Sequence, residues 1–270
     1  MTENQAVYTH GHQEPVLRSH RSRTAATSAA YLLAHVRAGQ ALLDVGCGPG
    51  TITADLAELV GPGGRVVAVD ASPQVLEQAA EYVAGRGLDN VVFEVADVHA
   101  VRFEDGEFDV VHAHQVLQHV GDPVAALREM RRVTAPGGVV AARDADYAAM
   151  TWYPQLPELD RWQELYRRIS RANGGEPDAG RRLLSWARAA GFAQIECSSS
   201  TWTYATAEQR AWWGGLWADR ILESGIAGAA LAKGFASRAE LERISAGWRA
   251  WAAAEDGWFA VLHGEVLARG

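Results

Sequence analysis

The sequence predicts an α/β fold built on a doubly wound, mostly parallel sheet. Three observations carry that reading. Short Val-rich runs such as VVAVD (66–70) and FDVVHAH (108–114) show no polar alternation and are separated by helical patterns. A strand covered on both faces reads this way, whereas a strand with one wet face alternates. A glycine-rich loop, LLDVGCGPGTIT (42–53), joins the first apolar run to the first helical one. Finally, 270 residues at 48% hydrophobic suit one large domain, or one domain carrying an insertion.

The elements follow in order. ALLDVG (41–46) is a short buried strand, and TITADLAELV (51–60) is a helix stopped by GPGG. VVAVDA is the second strand. The next helix opens with Ser72 as N-cap and Pro73 at its first position, and closes on glycines. VVFEVAD (91–97) and FDVVHAHQ (108–115) are the third and fourth strands. Asp122–Pro123 opens the helix DPVAALREMRRV, and APGG turns the chain into VVAARDA (139–145), the fifth strand. Ligands of such sheets sit at the carboxyl ends of the strands, near the point where strand order reverses. Segment 147–178, with Pro154, Pro157 and Gly174–Gly175, reads as irregular. RRLLSWARAAGF is a further helix and 193–204 a strand. Residues 207–254 read as helices that interrupt the sheet before WFAVLHGEVLA returns to it as the last strand.

Composition narrows the partners. Net charge is −8, Lys233 is the only lysine, and the arginine doublets at 131–132, 167–168 and 181–182 form no basic stripe. A nucleic-acid partner, which demands clustered cations for its phosphates, is disfavoured. No run approaches the roughly 20 apolar residues of a membrane span. The first residues lack the basic start and apolar centre of a secretory signal, and Cys47 and Cys197 form no metal or redox spacing, so a cytoplasmic setting is expected.

The loop says which nucleotide is wanted. A P-loop needs Gly-Lys-Ser/Thr, and Pro49–Gly50–Thr51 has no lysine. A dinucleotide fingerprint is G-x-G-x-x-G, whereas Gly46, Gly48 and Gly50 give G-x-G-x-G beside Asp44. That carboxylate opposes a pyrophosphate and welcomes a cation. Asp70 ends the second strand, where an acid accepts hydrogen bonds from ribose hydroxyls. Asp97 ends the third, where a carboxylate can accept from an adenine amino group. An adenosine without phosphate and with a cationic tail describes S-adenosylmethionine.

With these residues in place, segment 41–145 resembles the class I S-adenosylmethionine-dependent methyltransferases, most closely the ubiquinone/menaquinone-biosynthesis-like branch. LLDVGCGPGTIT, VVAVDAS and FEVADV resemble that family's first three motifs, and FDVVHAHQVLQHVGDP with LREMRRVTAPGG resembles its next segment. The resemblance implies a seven-stranded sheet whose last strand is antiparallel. It implies that Asp44, Gly46, Cys47, Gly48 and Gln115 meet the methionyl part. Asp70 would take the ribose, with Ala71 and Val75 beside the adenine, and Ala96, Asp97 and Val98 would complete the adenine site.

The remaining expectations concern the acceptor. His112 reads as a satisfied packing residue, and Cys47 as structural in its side chain. His114, His119, Asp146 and Tyr147 are candidate bases, an imidazole being suited to that task near neutral pH. Tyr8, His10 and His12, with His20, Arg21 and Arg23, suggest a lid over the cofactor, Tyr8 touching it; no metal site is expected. All ten tryptophans lie beyond residue 150, and at least one is expected to face an apolar acceptor chamber while most form core. The division expected is 1–35 lid and helix, 36–146 cofactor-binding core, 147–204 remaining core, 205–256 helical cap and 257–270 last strand. The function expected is methyl transfer to a small, apolar or aromatic acceptor, with the oligomeric state open, a homodimer included. The alternatives are a cofactor-binding protein of cyclase-like chemistry and a non-catalytic partner. A nicotinamide-dependent reductase is disfavoured by Asp44 and the glycine spacing.

Overall fold

The computed structural model describes residues 19–270 together with Thr9. The expected parallel strands form in sequence order: β1 (Ala41–Val45), β2 (Arg65–Asp70), β3 (Val91–Val95), β4 (Phe108–His114) and β5 (Thr134–Ala145). They lie side by side as β3-β2-β1-β4-β5, so strand order reverses between β1 and β4. The last strand, β8 (Trp258–Arg269), runs antiparallel to β5 and to β7 (Gln194–Tyr204), between which it is inserted.

Among the described residues one strand more is present than the expected seven. β6 (Thr151–Tyr153) pairs with Trp258–Ala260, the part of β8 that runs past the end of β5. A 12-residue strand against a six-residue register leaves unpaired backbone groups, and the β-prone triplet Thr-Trp-Tyr supplies them with partners. A second departure lies next to it: segment 147–178 is not irregular, because Pro157–Ala172 is a 16-residue helix. Pro157 starts it at a position where its missing N–H costs nothing. A third concerns β3, which is the sheet edge; Val92 and Val95 are exposed there rather than covered on both faces.

The predicted helix starts hold. The Ser72 hydroxyl accepts from the Val75 N–H, and the Asp122 carboxylate from the Ala125 N–H. Three later helices, Ala207–Glu223, Gly225–Ala232 and Arg238–Ala253, pack with Pro157–Ala172 into a separate aromatic core. Trp162, Trp217, Trp248 and Trp251 are its largest fully buried side chains. Among the described residues no helix is long and apolar enough to cross a membrane.

A buried acid fixes one element beside the switch point. Asp144 on β5 accepts the Gln118 N–H at 3.0 Å and so holds the turn Leu117–His119. Burial pushes its pKa up to about 7, against the hydrogen bonds from Gln118 and Leu117 that pull it down. Its folded-state pKa therefore lies above the unfolded value near 3.9, and the neutral form is the one the fold prefers. Stability from this site is lost as pH rises from about 4 through 7. Asp144→Asn is expected to gain in melting temperature relative to wild type between pH 5 and pH 8, read by calorimetric scans; a pH-independent difference would refute the assignment.

Candidate functional site

The glycine loop folds as its spacing requires. Gly46, Gly48 and Gly50 all take left-handed backbone, with φ of 65°, 55° and 79°. Two of them also permit close approach. A Cβ on Gly46 would sit 2.5 Å from the Val116 Cγ2, and one on Gly50 would sit 3.0 Å from the Ala79 Cβ. A Cβ on Gly48 meets nothing. Gly46→Ala therefore carries both strain and a clash, whereas Gly48→Ala carries only the left-handed strain of roughly 1–2 kcal/mol. Gly46→Ala should lower the melting temperature more than Gly48→Ala does.

Around this loop lies a cavity of about 1340 Å³. It exceeds the roughly 300–1,000 Å³ that one small ligand occupies, so it has room for two. Its first half is bounded by the strand ends. Asp70 is pinned there: its Oδ1 accepts from the Ser72 N–H at 3.0 Å and its Oδ2 from the Gly48 N–H at 3.2 Å. Ala71, Val75, Ala96 and Val98 line the same half. Asp97 uses one carboxylate oxygen on His99, accepting from its backbone N–H and meeting its Nδ1 at 2.7 Å. His114 and Gln115 follow from β4, and Gln115 has a left-handed φ of 55°, a strain that is found at functional sites.

Three of the expected methionyl contacts are differently engaged. The Cys47 N–H donates to the Val69 carbonyl, leaving its backbone donor to the sheet, and burial pushes its thiol pKa up. Gln115 spends its side chain between Arg23, which donates to its Oε1, and His263, whose Nε2 accepts from its Nε2. Asp44 is buried; its Oδ2 accepts from the Thr53 hydroxyl at 2.6 Å and its Oδ1 from His112 Nδ1 at 2.8 Å. His112 is thus half of a carboxylate–imidazole pair rather than simple packing.

The second half of the cavity is aromatic. Trp202, Tyr204, Trp212, Trp213 and Trp217 line it with Met150. Of the other tryptophans, Trp152, Trp162, Trp248 and Trp251 stand in the core behind this wall and Trp186 packs partly buried elsewhere, while Trp258 is exposed. Of the candidate bases, His114, His119 and Tyr147 face the cavity and Asp146 does not. Asp146 is buried in a two-pronged ion pair with Arg181 and caps the turn Tyr147–Ala149. Its carboxylate is fully used in holding Gly180–Arg182 against β5, which removes it from the candidates.

His114 is buried with neither ring nitrogen hydrogen-bonded among the described residues. Burial holds its pKa well below the usual imidazole range, and the Arg23 and Arg143 cations push the same way. His119, half-buried, is held at about 3 by desolvation and then Arg23. Tyr147 stacks on Tyr166 at 3.9 Å, and burial raises its pKa.

Segment 19–28 crosses the mouth. Arg220 donates to the Ser19 hydroxyl, Arg23 lies 5.4 Å over the Trp202 ring, and the Trp202 indole N–H donates to the Thr27 carbonyl. Tyr8, His10 and His12 lie outside the described residues. Sequence reasoning missed Arg220, His263 and the Thr201–Tyr204 rim. Alternating Trp202 and Tyr204 on a strand could have flagged the rim; nothing in the sequence flags Arg220. Among the described residues no cluster of His, Cys, Asp or Glu could hold a metal ion.

The cavity brings together the Asp70 carboxylate at the end of β2, an apolar slot lined by Ala71, Val75, Ala96 and Val98, and the buried Asp44–His112 pair. Comparison with known proteins gives the family. Residues 37–207 match a family described as a methyltransferase domain. An uncharacterized methyltransferase of Schizosaccharomyces pombe is 35% identical, over 98% of this chain and 96% of that protein. A demethylmenaquinone methyltransferase of Lactococcus lactis is 36% identical over 45% of this chain and 48% of its own length. The YcgJ protein of Bacillus subtilis shares the fold at a TM-score of 0.57 and 19% identity, covering 89% of this chain and 97% of that one. The chain belongs to the methyltransferase-domain family and is a class I enzyme that uses S-adenosylmethionine.

Proposed function

We propose that the enzyme methylates a small, apolar or aromatic acceptor seated against the tryptophan wall, with His114 meeting the acceptor's polar atom. One observation carries this reading: a cavity runs from the glycine loop to Trp213 and Trp217, and His114 lines it with both ring nitrogens unpartnered among the described residues. S-adenosylmethionine, when bound, supplies an electrophilic methyl group on a cationic sulfur. Asp70 accepts from the ribose hydroxyls, and the second oxygen of Asp97 accepts from the adenine amino group. Val75, Ala71, Ala96 and Val98 flank the base. Segment 19–28 serves as the strap over the mouth, excluding water.

His114 stays neutral at physiological pH, because burial disfavours its cation. A neutral imidazole offers one donor and one acceptor, so it can accept a hydrogen bond from a hydroxyl and orient it, while the burial that keeps it neutral makes it a weak base. The free thiols, Cys47 and Cys197, support a reducing, cytoplasmic setting. Alignment in a closed site is the main service such a displacement needs.

The test is transfer of labelled methyl from S-adenosylmethionine to a panel of phenols, naphthols and aliphatic alcohols and amines. Label on an aromatic or apolar acceptor is expected, with His114→Ala lowering kcat/KM roughly tenfold, as loss of an orienting hydrogen bond does. A protein that binds the cofactor yet labels none of the panel would refute the reading.

A further inference from the structure

We infer that His99 is a positioning residue for the cofactor: it holds the Asp97 carboxylate so that one oxygen is left to read the adenine amino group. The inference rests on the adenine role proposed for Asp97 and adds the residue that makes that role selective. His99 lines the same half of the cavity as Ala96, Asp97 and Val98.

The placement follows from the chain. β3 ends at Val95, and the Ala100 N–H donates to the Asp97 carbonyl at 3.0 Å, closing a turn. An aspartate that opens a turn readily accepts from the backbone N–H two residues on. Asp97 Oδ1 does so from His99 at 2.9 Å, and the same oxygen stands 2.7 Å from His99 Nδ1. Both contacts load one oxygen. Oδ2 makes no hydrogen bond among the described residues, and the side chain is 57% exposed, so a ligand can reach it. The other edge of the imidazole is held as well, with Nε2 3.2 Å from the Asp122 carbonyl. Asp122 is itself fixed, because its carboxylate accepts from the Ala125 N–H at 2.9 Å and caps the helix Pro123–Val133. His99 therefore ties the end of β3 to the Gly121–Asp122 loop, and both line the cavity.

A carboxylate held in this way has little orientation left to lose when a ligand arrives. It also stays ionised: partial burial pushes the Asp97 pKa up, but the His99 backbone N–H and ring hold it below its usual value. A fixed anion accepts from the amino group of adenine and repels the oxygen that hypoxanthine carries in its place.

Calorimetric titration compares S-adenosylhomocysteine with S-inosylhomocysteine, which differs by that oxygen. Wild type is expected to prefer the adenine compound by about tenfold or more. Asp97→Ala should abolish the preference, which tests the adenine reading itself. His99→Ala should cut it roughly three- to tenfold with the Asp97 carboxylate still present. His99→Asn should restore it to within about twofold of wild type, because the asparagine amide N–H stands where Nδ1 stood. The His99 side chain is 28% exposed, so these variants leave the core closed. A preference lost in Asp97→Ala but kept in His99→Ala overturns the inference and leaves the adenine reading standing. Equal weakening of both compounds by His99→Ala makes the histidine a structural tie only and overturns it too. No preference in wild type, or one that survives Asp97→Ala, removes the adenine reading and the inference with it.

Discussion

Trp162→Ala is expected to destabilise the protein by about 3–5 kcal/mol, the range for deleting a fully buried large aromatic. Trp162 is 0% exposed and sits at the centre of the aromatic core. Its ring meets Trp217 at 4.6 Å and Trp248 at 4.9 Å, both edge to face, with Tyr147, Trp152 and Phe259 around it. Such pairs add to the area they bury because the positive edge of one ring faces the negative face of the next. Trp217 and Tyr147 both line the cavity, so the void left by alanine lies directly behind the acceptor wall. The loss should appear in chemical denaturation, with weaker acceptor binding alongside. Trp162→Phe separates packing from polarity. The Trp162 indole N–H has no hydrogen-bond partner among the described residues, so phenylalanine removes an unsatisfied donor while keeping most of the ring. Trp162→Phe should cost less than half of what Trp162→Ala costs. Equal losses would mean that the ring packing does not carry the core.

The contrast between the two halves of the molecule explains what was readable beforehand. The cofactor half is built from local rules: a loop whose left-handed residues must be glycine, a second strand whose last residue is Asp70 and a third followed two residues on by Asp97, helices opened by Ser72–Pro73 and Asp122–Pro123. Each of those rules acts within a few residues, and the sequence displays it. The acceptor half is built from contacts distant in the chain. Arg220 reaches Ser19 across 201 positions, and Gln115 reaches His263 across 148. No periodicity announces such a pair. Asp146 shows the same limit from the other side: its place after β5 suggested a base, but Arg181, 35 positions on, captures its carboxylate. Asp44 is intermediate. Its type and position were informative, while its partner His112 could be recognised only once β1 and β4 were seen in register. The helix Pro157–Ala172 was hidden by the proline that begins it. The apolar spacing of Leu159, Trp162, Leu165, Tyr166 and Ile169, all buried on one face, was the stronger signal.

Asp70→Ala is expected to weaken S-adenosylhomocysteine binding at least tenfold. On the proposed reading the carboxylate accepts from ribose hydroxyls, and a hydrogen bond to a charged group contributes roughly 1.5–3 kcal/mol, a factor of ten or more. The same carboxylate also accepts from the Gly48 and Ser72 N–H groups, so it ties the glycine loop to the turn after β2. The variant could then act through a loosened loop alone, and the two causes need separate readouts. Loop pinning affects every ligand that touches Gly48, including one without a ribose diol. A 2′,3′-dideoxy analogue of S-adenosylhomocysteine lacks those hydroxyls. If the ribose assignment is right, wild type should bind that analogue about as weakly as Asp70→Ala binds the parent compound, and the variant should lose little more. A dissociation constant for S-adenosylhomocysteine unchanged by Asp70→Ala would sink the ribose assignment. A tenfold loss for the dideoxy analogue as well would show that the carboxylate works by holding Gly48.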